Sequence, residues 1–180
     1  EEVLPETVKE LGEILNKLIQ ENLINQDSKI LFVDDGSKDN TWKLIKEYEE
    51  INNHVTGIKF SRNYGHQNAL IAGMTVAVKK SDMIITIDAD LQDDVNAIFE
   101  MVRKYHEGTD VVYGVRNSRE TDTIFKRRTA LAFYKLMELL GVNMVPNSAD
   151  YRLLSKRAVE GLLEFHERNI FLRGMVPLVG

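Results

Sequence analysis

The sequence contains no cysteine, only three prolines and a single tryptophan. Without cysteine the chain has neither a disulfide framework nor a thiolate metal site, which suits a reducing compartment. It also has no apolar run approaching the roughly 20 residues that span a membrane, and no signal peptide precedes the first predicted helix. The chain of 180 residues, as given, is therefore expected to be soluble.

The chain also lacks an excess of positive charge: it has 23 lysines and arginines and 28 acidic residues, for a formal net charge of −5 at pH 7. Non-specific binding of nucleic acid needs a basic face that neutralises phosphates, so nucleic acid is not an expected partner. Internal repeats and low-complexity tracts are lacking, and hydrophobic residues make up 43% of the chain. These features predict one globular domain over residues 1–180, in which any basic site is local.

Strand and helix signals alternate along the chain. The segment "PETVKELGEILNKLIQENL" has apolar residues at helical spacing, and "KILFV" is a strand-like run that ends at the turn formers of "DDGSKDN". The unit of strand, polar loop and helix recurs at "VTGIKF" and at "MIITI", and "DVVYGV" supplies a fourth strand. This alternation predicts an α/β fold with a mostly parallel sheet and helices on both faces. Because the chain opens almost directly into a helix, we expect an N-terminal strand to be missing.

Polar side chains follow three of the predicted strands, at the edge where open parallel sheets bind ligands. They are Asp34, Asp35, Arg62, His66, Asp88, Asp90 and Gln92. Clustered acids repel one another unless a cation offsets their charge, and oxygen ligands without cysteine or paired histidines favour Mg²⁺ or Mn²⁺. The alternative is that Asp88 and Asp90 only cap the following helix and face water. Two acidic loops on one sheet favour a site.

Five segments, in order, resemble one known family: "VDDGSKDNT", "SRNYGHQNALIAGM", "IDADLQ", "VVYGVRNSR" and "SADYRLLS". They are similar to those of family 2 glycosyltransferases with the GT-A fold, and most similar to the polyprenyl-phosphate branch, which includes dolichol-phosphate mannose synthase and bactoprenol glucosyltransferases. The likeness covers nearly the whole chain. It implies an inverting, metal-dependent hexosyltransferase that uses a UDP- or GDP-sugar, with residues 1–115 as its nucleotide-binding part and residues 116–180 as its acceptor-side part.

The resemblance also implies a role for individual residues on the donor side. The implied nucleotide-binding set is Asp34, Asp35, Arg62, Asp88, Ala89 and Asp90, and the implied metal ligands are Asp88, Asp90 and Gln92. Asp35 matches the acid that contacts the base, and a carboxylate can accept the N–H groups of uracil or guanine. The metal on the diphosphate would be Mg²⁺ or Mn²⁺, acting as a Lewis acid that offsets charge on the leaving nucleoside diphosphate.

Basic residues concentrate after the fourth strand of this otherwise acidic chain. Guanidinium groups suit phosphate through bidentate geometry, and the acceptor in the family's branch is a lipid phosphate. The acceptor-side residues implied by the resemblance are Arg116, Arg119, Arg127, Arg152 and Arg173. Arg116 is also assigned a catalytic role with Asp150. The alternative for Arg127 is a solvated basic face on an amphipathic helix.

Asp150 lies where family members carry an acid near the acceptor, and it could orient or deprotonate the nucleophile. A phosphate monoester is already mostly dianionic near neutral pH, because its second pKa is about 6, so it hardly needs a base. A sugar hydroxyl would need one. Asp150 and Arg152 could instead form only a structural ion pair. His66 has a weaker case for binding a diphosphate, because a loop histidine is more often simply solvated.

The implied partners are a nucleotide-sugar donor and a polyprenyl phosphate or glycan acceptor, at the cytoplasmic face of the cell membrane. Whether the protein forms a homo-oligomer is left open. A second interpretation within the fold is transfer to a saccharide hydroxyl in surface polysaccharide synthesis.

Two interpretations come from other classes of protein. In a phosphoreceiver signalling domain the last strand should end in a lysine, whereas "DVVYGV" is followed by Arg116 and a long further segment. A phosphatase of the haloacid type should carry a hydroxyl or a valine where this chain has Gln92. Both departures favour the glycosyltransferase interpretation.

Overall fold

The computed structural model describes residues 1–115, 148–165 and 171–180. The helices in these ranges are α1 (Leu4–Gln20), α2 (Thr41–Ile51), α3 (His66–Ala77), α4 (Ala97–His106), α5 (Lys156–Leu163) and α6 (Leu172–Met175). The strands are β1 (Ile30–Asp34), β2 (Val55–Lys59), β3 (Met83–Thr86), β4 (Val111–Val115) and β5 (Ser148–Ser155). The predicted alternation of strand and helix is confirmed through β4, and the fold class is α/β.

The strands pair in two sets. β1 and β2 are parallel, with Ile30 opposite Val55 and Asp34 opposite Lys59. β5 lies between β3 and β4 and is antiparallel to both. β3 and β4 therefore run in the same direction, as successive strand and helix units should, but the described pairings are mixed rather than mostly parallel. The sequence pattern does not reveal β5, because charged residues interrupt its apolar positions.

Side chains of β5 alternate between two hydrophobic cores, as the period of a strand requires. Tyr151 and Leu153 pack in a core with residues of α1 and α4. Leu154 packs on the opposite face, in a core with residues of α3, α5 and α6. This single strand therefore holds the helices on both sides of the sheet.

Helix α1 buries the face that its sequence predicts, since Val8, Leu11, Leu15 and Leu18 are all buried. Thr7 is buried on the same face, and its hydroxyl donates a hydrogen bond to the carbonyl oxygen of Ala89 at 2.9 Å. The helix is thereby tied to the loop that follows β3. Among the described residues, no helix is both long enough and apolar enough to cross a membrane.

The central position of β5 generates a stability prediction. Leu153 has 0% exposure, so Leu153→Ala should lower the free energy of unfolding by about 2–5 kcal/mol, through lost burial and the cavity left behind. Urea denaturation followed by circular dichroism measures this change. The control is Ile51→Ala, at a side chain that is 79% exposed, where a change within about 0.5 kcal/mol is expected. Equal effects of the two substitutions would contradict the core position of β5.

Candidate functional site

The loops after β1 and β2 are held together by the carboxylate of Asp35. Its Oδ1 accepts a hydrogen bond from the backbone N–H of Tyr64 at 2.7 Å, and its Oδ2 accepts one from Gly65 at 2.9 Å. Gly36 has a φ of +74°, and a Cβ there would lie 2.4 Å from the backbone carbonyl carbon of Arg62. Only glycine fits such a close approach in this conformation. Asp35 therefore fixes the start of α3 in addition to any contact with a ligand.

The neighbouring Asp34 is buried beneath this surface. Its Oδ1 accepts a hydrogen bond from the backbone N–H of Ser37 at 2.8 Å, and its Oδ2 lies 3.6 Å from Lys59 Nζ. These contacts hold the turn after β1 and neutralise the buried charge. The nucleotide-binding role expected for Asp34 stays a prediction, as does the role of Arg62, an exposed guanidinium 4.9 Å from the centre of the Tyr64 ring.

The loop after β3 carries the acids of "IDADLQ" at the surface. The backbone N–H of Gln92 donates to Asp90 Oδ1 at 3.0 Å, and Leu91 between them has a φ of +56°. The bond from Thr7 to Ala89 anchors the same loop from the side of α1. Asp90 is thus held in a turn, Asp88 lies half-buried just before it, and Gln92 is exposed.

Negative charge is concentrated around Asp88. Partial burial raises the pKa of Asp88, the imidazole of His66 opposes that shift, and the charges of Asp90, Asp150 and Asp93 add to it. Acids that raise one another's pKa are ionised at a cost, which a bound cation would remove. The electrostatics of this loop therefore favour a positively charged ligand.

Asp150, which is predicted to lie on the acceptor side, contacts the side chains of His66 and Arg152. Its Oδ2 lies 2.9 Å from His66 Nε2, and its Oδ1 accepts a hydrogen bond from the guanidinium of Arg152. His66 Nε2 is also 3.9 Å from Asp88 Oδ1. Residues from α3, β5 and the loop after β3 therefore meet at one place. The ion pair between Asp150 and Arg152 that the sequence leaves open is present.

Arg152 is only 2% exposed. Burial lowers the pKa of Arg152, Asp150 opposes the shift, and the nearby charge of Arg173 adds to the lowering. Arg152 thus orients Asp150 from inside the protein, and its contact with the acceptor stays a prediction. Arg116, Arg119 and Arg127 lie outside the described residues, so their predicted roles stay predictions.

The acids after β3 suit one kind of divalent-cation site and not another. Within residues 1–115, 148–165 and 171–180, no group of three or more histidine, cysteine or acidic side chains is arranged to hold a metal ion. Mg²⁺, however, is commonly bound through one or two carboxylates, with substrate phosphates and water as the other ligands. Two surface carboxylates whose charges disfavour each other fit that kind of site, in which the ion arrives with a diphosphate.

Two features of this site escape sequence reasoning. Thr7 is a polar residue on the apolar face of α1, and only that interruption could have signalled its bond to the acidic loop. The contact between His66 and Asp150 joins residues 84 positions apart, and nothing in either local segment signals it.

An α/β fold with acids after β1 and β3 is typical of proteins that bind ligands beyond their strand ends. A family model described as glycosyl transferase family 2 matches residues 3–163. The chain belongs to this family, and it is a glycosyltransferase domain with a fold consistent with GT-A. Membership sets aside the phosphoreceiver and phosphatase interpretations.

Curated relatives agree with this assignment. The chain is 56% identical to the uncharacterized glycosyltransferase YkoT of Bacillus subtilis over 180 residues, which cover 100% of this chain and 53% of that protein. It is 38% identical over 161 residues to a prophage bactoprenol glucosyl transferase homolog of Escherichia coli, covering 89% of this chain and 52% of that protein.

A third relative is the bactoprenol glucosyl transferase of Shigella phage SfV, which is 38% identical over 153 residues, or 84% of this chain and 49% of that protein. These names support the resemblance to the polyprenyl-phosphate branch. The chain spans about half the length of the curated relatives it matches.

The charge cluster predicts a dependence of stability on pH. Because the pKa of Asp88 is raised in the folded protein, the folded state binds more protons than the unfolded state between the two pKa values. Stability should therefore fall as pH rises from the unfolded value of about 3.9 through the raised folded value. Asp88→Asn removes this loss, so the variant should unfold at a higher temperature than the parent protein at pH 7, with a difference that shrinks towards pH 4.

Thermal unfolding in a chelating buffer across this pH range measures the effect. The matched control is Asp27→Asn, at an exposed loop acid remote from the cluster, which should shift the unfolding temperature little at any pH. An Asp88→Asn variant less stable than the parent at pH 7 would contradict the charge repulsion described for this loop.

Proposed function

We propose that the native protein transfers a hexose from a UDP- or GDP-sugar to a polyprenyl phosphate at the cytoplasmic face of the membrane. The transfer inverts the anomeric centre and depends on Mg²⁺ or Mn²⁺. The observation that carries the proposal is the group of acids around Asp88, where partial burial and neighbouring acids raise the pKa of that carboxyl, at the strand ends of a chain that belongs to a sugar-transferring family.

On the donor side, Asp88, Asp90 and Gln92 would hold the metal ion. When bound, the ion supplies Lewis acidity that offsets charge on the leaving nucleoside diphosphate. Asp35 fixes the loop that precedes α3 and lies beside the space for the base. Thr7 and the turn at Asp90 keep the acids in place before the donor arrives, so little reorganisation is needed on binding.

On the acceptor side, the state of Asp150 supports a phosphate nucleophile. Both of its oxygen atoms are engaged, one by Arg152 and the other by His66. A carboxylate held in this way is suited to positioning, and a phosphate acceptor is already ionised. Two relatives whose names include bactoprenol glucosyl transferase support the same acceptor class. Arg116, Arg119 and Arg127 would supply positive charge for the phosphate.

The metal assignment predicts the behaviour of one substitution. Asp90→Asn should abolish the Mn²⁺-dependent part of nucleoside diphosphate binding, because an amide is a much weaker cation ligand than a carboxylate. The fold should be retained, since removing one of several like charges at the surface is rarely destabilising. Titration calorimetry with UDP and GDP, with and without Mn²⁺, measures the effect against Asp27→Asn. Unchanged metal-dependent affinity would refute the assignment.

The acceptor class predicts opposite results for two substitutions. With a polyprenyl phosphate acceptor, Asp150→Asn should keep measurable turnover, because no proton has to be removed. Arg116→Ala should lose a charge-assisted phosphate contact of about 1.5–3 kcal/mol. If a saccharide hydroxyl is the acceptor, losing a general base at Asp150 should instead cost roughly 10²-fold to 10⁴-fold in rate.

Turnover of both variants with polyprenyl phosphate and with oligosaccharides, in the complete native protein, separates these cases. Circular dichroism of Asp150→Asn is needed as a control, because Arg152 is buried against this carboxylate. A folded but inactive Asp150→Asn beside a nearly normal Arg116→Ala would overturn the lipid-phosphate proposal in favour of a saccharide acceptor.

A further inference from the structure

The imidazole of His66 forms a specific link between α3 and β5. His66 is the first residue of α3, and its Nε2 lies 2.9 Å from Oδ2 of Asp150. A carboxylate accepts hydrogen bonds, so Nε2 carries the hydrogen and the ring is fixed in orientation by this bond. The side chain of His66 is 51% exposed, whereas that of Asp150 is 18% exposed. The imidazole thus covers the acid from the solvent side.

The bond from His66 is the second contact that fixes the carboxylate of Asp150. Arg152 binds Oδ1 from the buried side, and the rotation of a carboxylate about its last bond is broad when only one oxygen is held. With His66 on Oδ2, both oxygen atoms have a defined partner. The plane of the carboxylate is therefore set jointly by a buried cation and an exposed imidazole.

The backbone next to His66 is fixed by a hydrogen bond to Asp35. The preceding residue, Gly65, donates its N–H to Asp35 at 2.9 Å, and Gly65 has a φ of +95°. The Nε2 atom of His66 lies 3.9 Å from Asp88 Oδ1. Gly65 and His66 thus contact Asp35 and Asp150 and lie close to Asp88, which the proposed function assigns to the nucleotide, the acceptor side and the metal ion.

We propose that His66 is a positioning residue of the transfer reaction, which aligns Asp150 with the donor-binding loop through its Nε2–H bond. The inference rests on the proposed function, because it assigns the aligned acid to the acceptor side of a sugar transfer. His66 acts through Asp150, and the affinity for the nucleotide in the absence of metal stays unchanged.

The experiment compares a substitution that keeps a hydrogen-bond donor with one that removes it. His66→Gln keeps an N–H at about the reach of Nε2, and His66→Leu removes it. In the complete native protein, His66→Leu should lower kcat/KM for polyprenyl phosphate by roughly tenfold to a hundredfold, and His66→Gln should restore most of it. The dissociation constant of UDP or GDP, measured without metal so that the nearby Asp88 is not probed, should stay within about twofold in both variants.

A matched control and a double-mutant cycle complete the test. His106 also uses Nε2 in a hydrogen bond, to the carbonyl oxygen of Leu23 away from the acids, and His106→Leu should leave kcat/KM unchanged. In an Asp150→Asn background, His66→Leu should add little, because the link is already weakened. The proposal is overturned if the Gln and Leu variants are equally impaired, if both are fully active, or if nucleotide affinity without metal falls with turnover.

A readout without turnover separates this inference from the proposed function. Nitrogen-15 NMR of the ligand-free protein should show the His66 hydrogen on Nε2, with a signal that changes in Asp150→Asn and not in Asp27→Asn. If the parent protein transfers no sugar to any acceptor, the proposed function fails while this signal still tests the bond. A signal insensitive to Asp150→Asn would refute the link itself.

Discussion

The guanidinium of Arg152 is a buried positive charge on a face of β5 that otherwise packs against apolar side chains of helices. Its neighbour on that face, Leu154, belongs to the core formed with α3, α5 and α6. Burying a charge costs several kcal/mol unless an opposite charge and hydrogen bonds compensate it. Asp150 stands two residues earlier on the same face of the strand, so the period of the strand brings the compensating carboxylate to the guanidinium. The orientation of Asp150 follows from this buried pair together with the hydrogen bond from His66.

In the rest of the site, negative charge is not compensated in this way. Around Asp88 the acids outnumber the cations among the described side chains, and partial burial adds to the cost of their ionisation. Arg152 neutralises Asp150 permanently, whereas Asp88 and Asp90 have no comparable buried cation among the described residues. Among the described acids of this cluster, Asp150 is therefore balanced by the protein, whereas Asp88 and Asp90 are left for a ligand to balance. In the proposed function, this difference separates a positioning carboxylate from cation-binding ones.

Much of this arrangement is predictable from the sequence, for identifiable reasons. The apolar face of α1, the runs that form β1 to β4 and the acids that end β1 and β3 are local patterns, and each is present where the pattern places it. β5 is different, because Asp150 and Arg152 occupy positions where a buried strand should be apolar. Thr7 and His66 act through partners more than 80 residues away, and no local periodicity encodes such contacts. What the sequence could not provide is the tertiary pairing that turns separate motifs into one site.

The position of β5 between β3 and β4 has a consequence for how the protein is made. Among the described residues, β3 and β4 hydrogen-bond to β5 and not to each other. A ribosome synthesises the chain from its N-terminus, so both strands are made before the strand that joins them. During that interval their edges expose unpaired backbone groups, which are templates for pairing with other chains. Nascent molecules that stall before residue 148 would be clients for chaperones, and the acids of the site would not yet have been brought together.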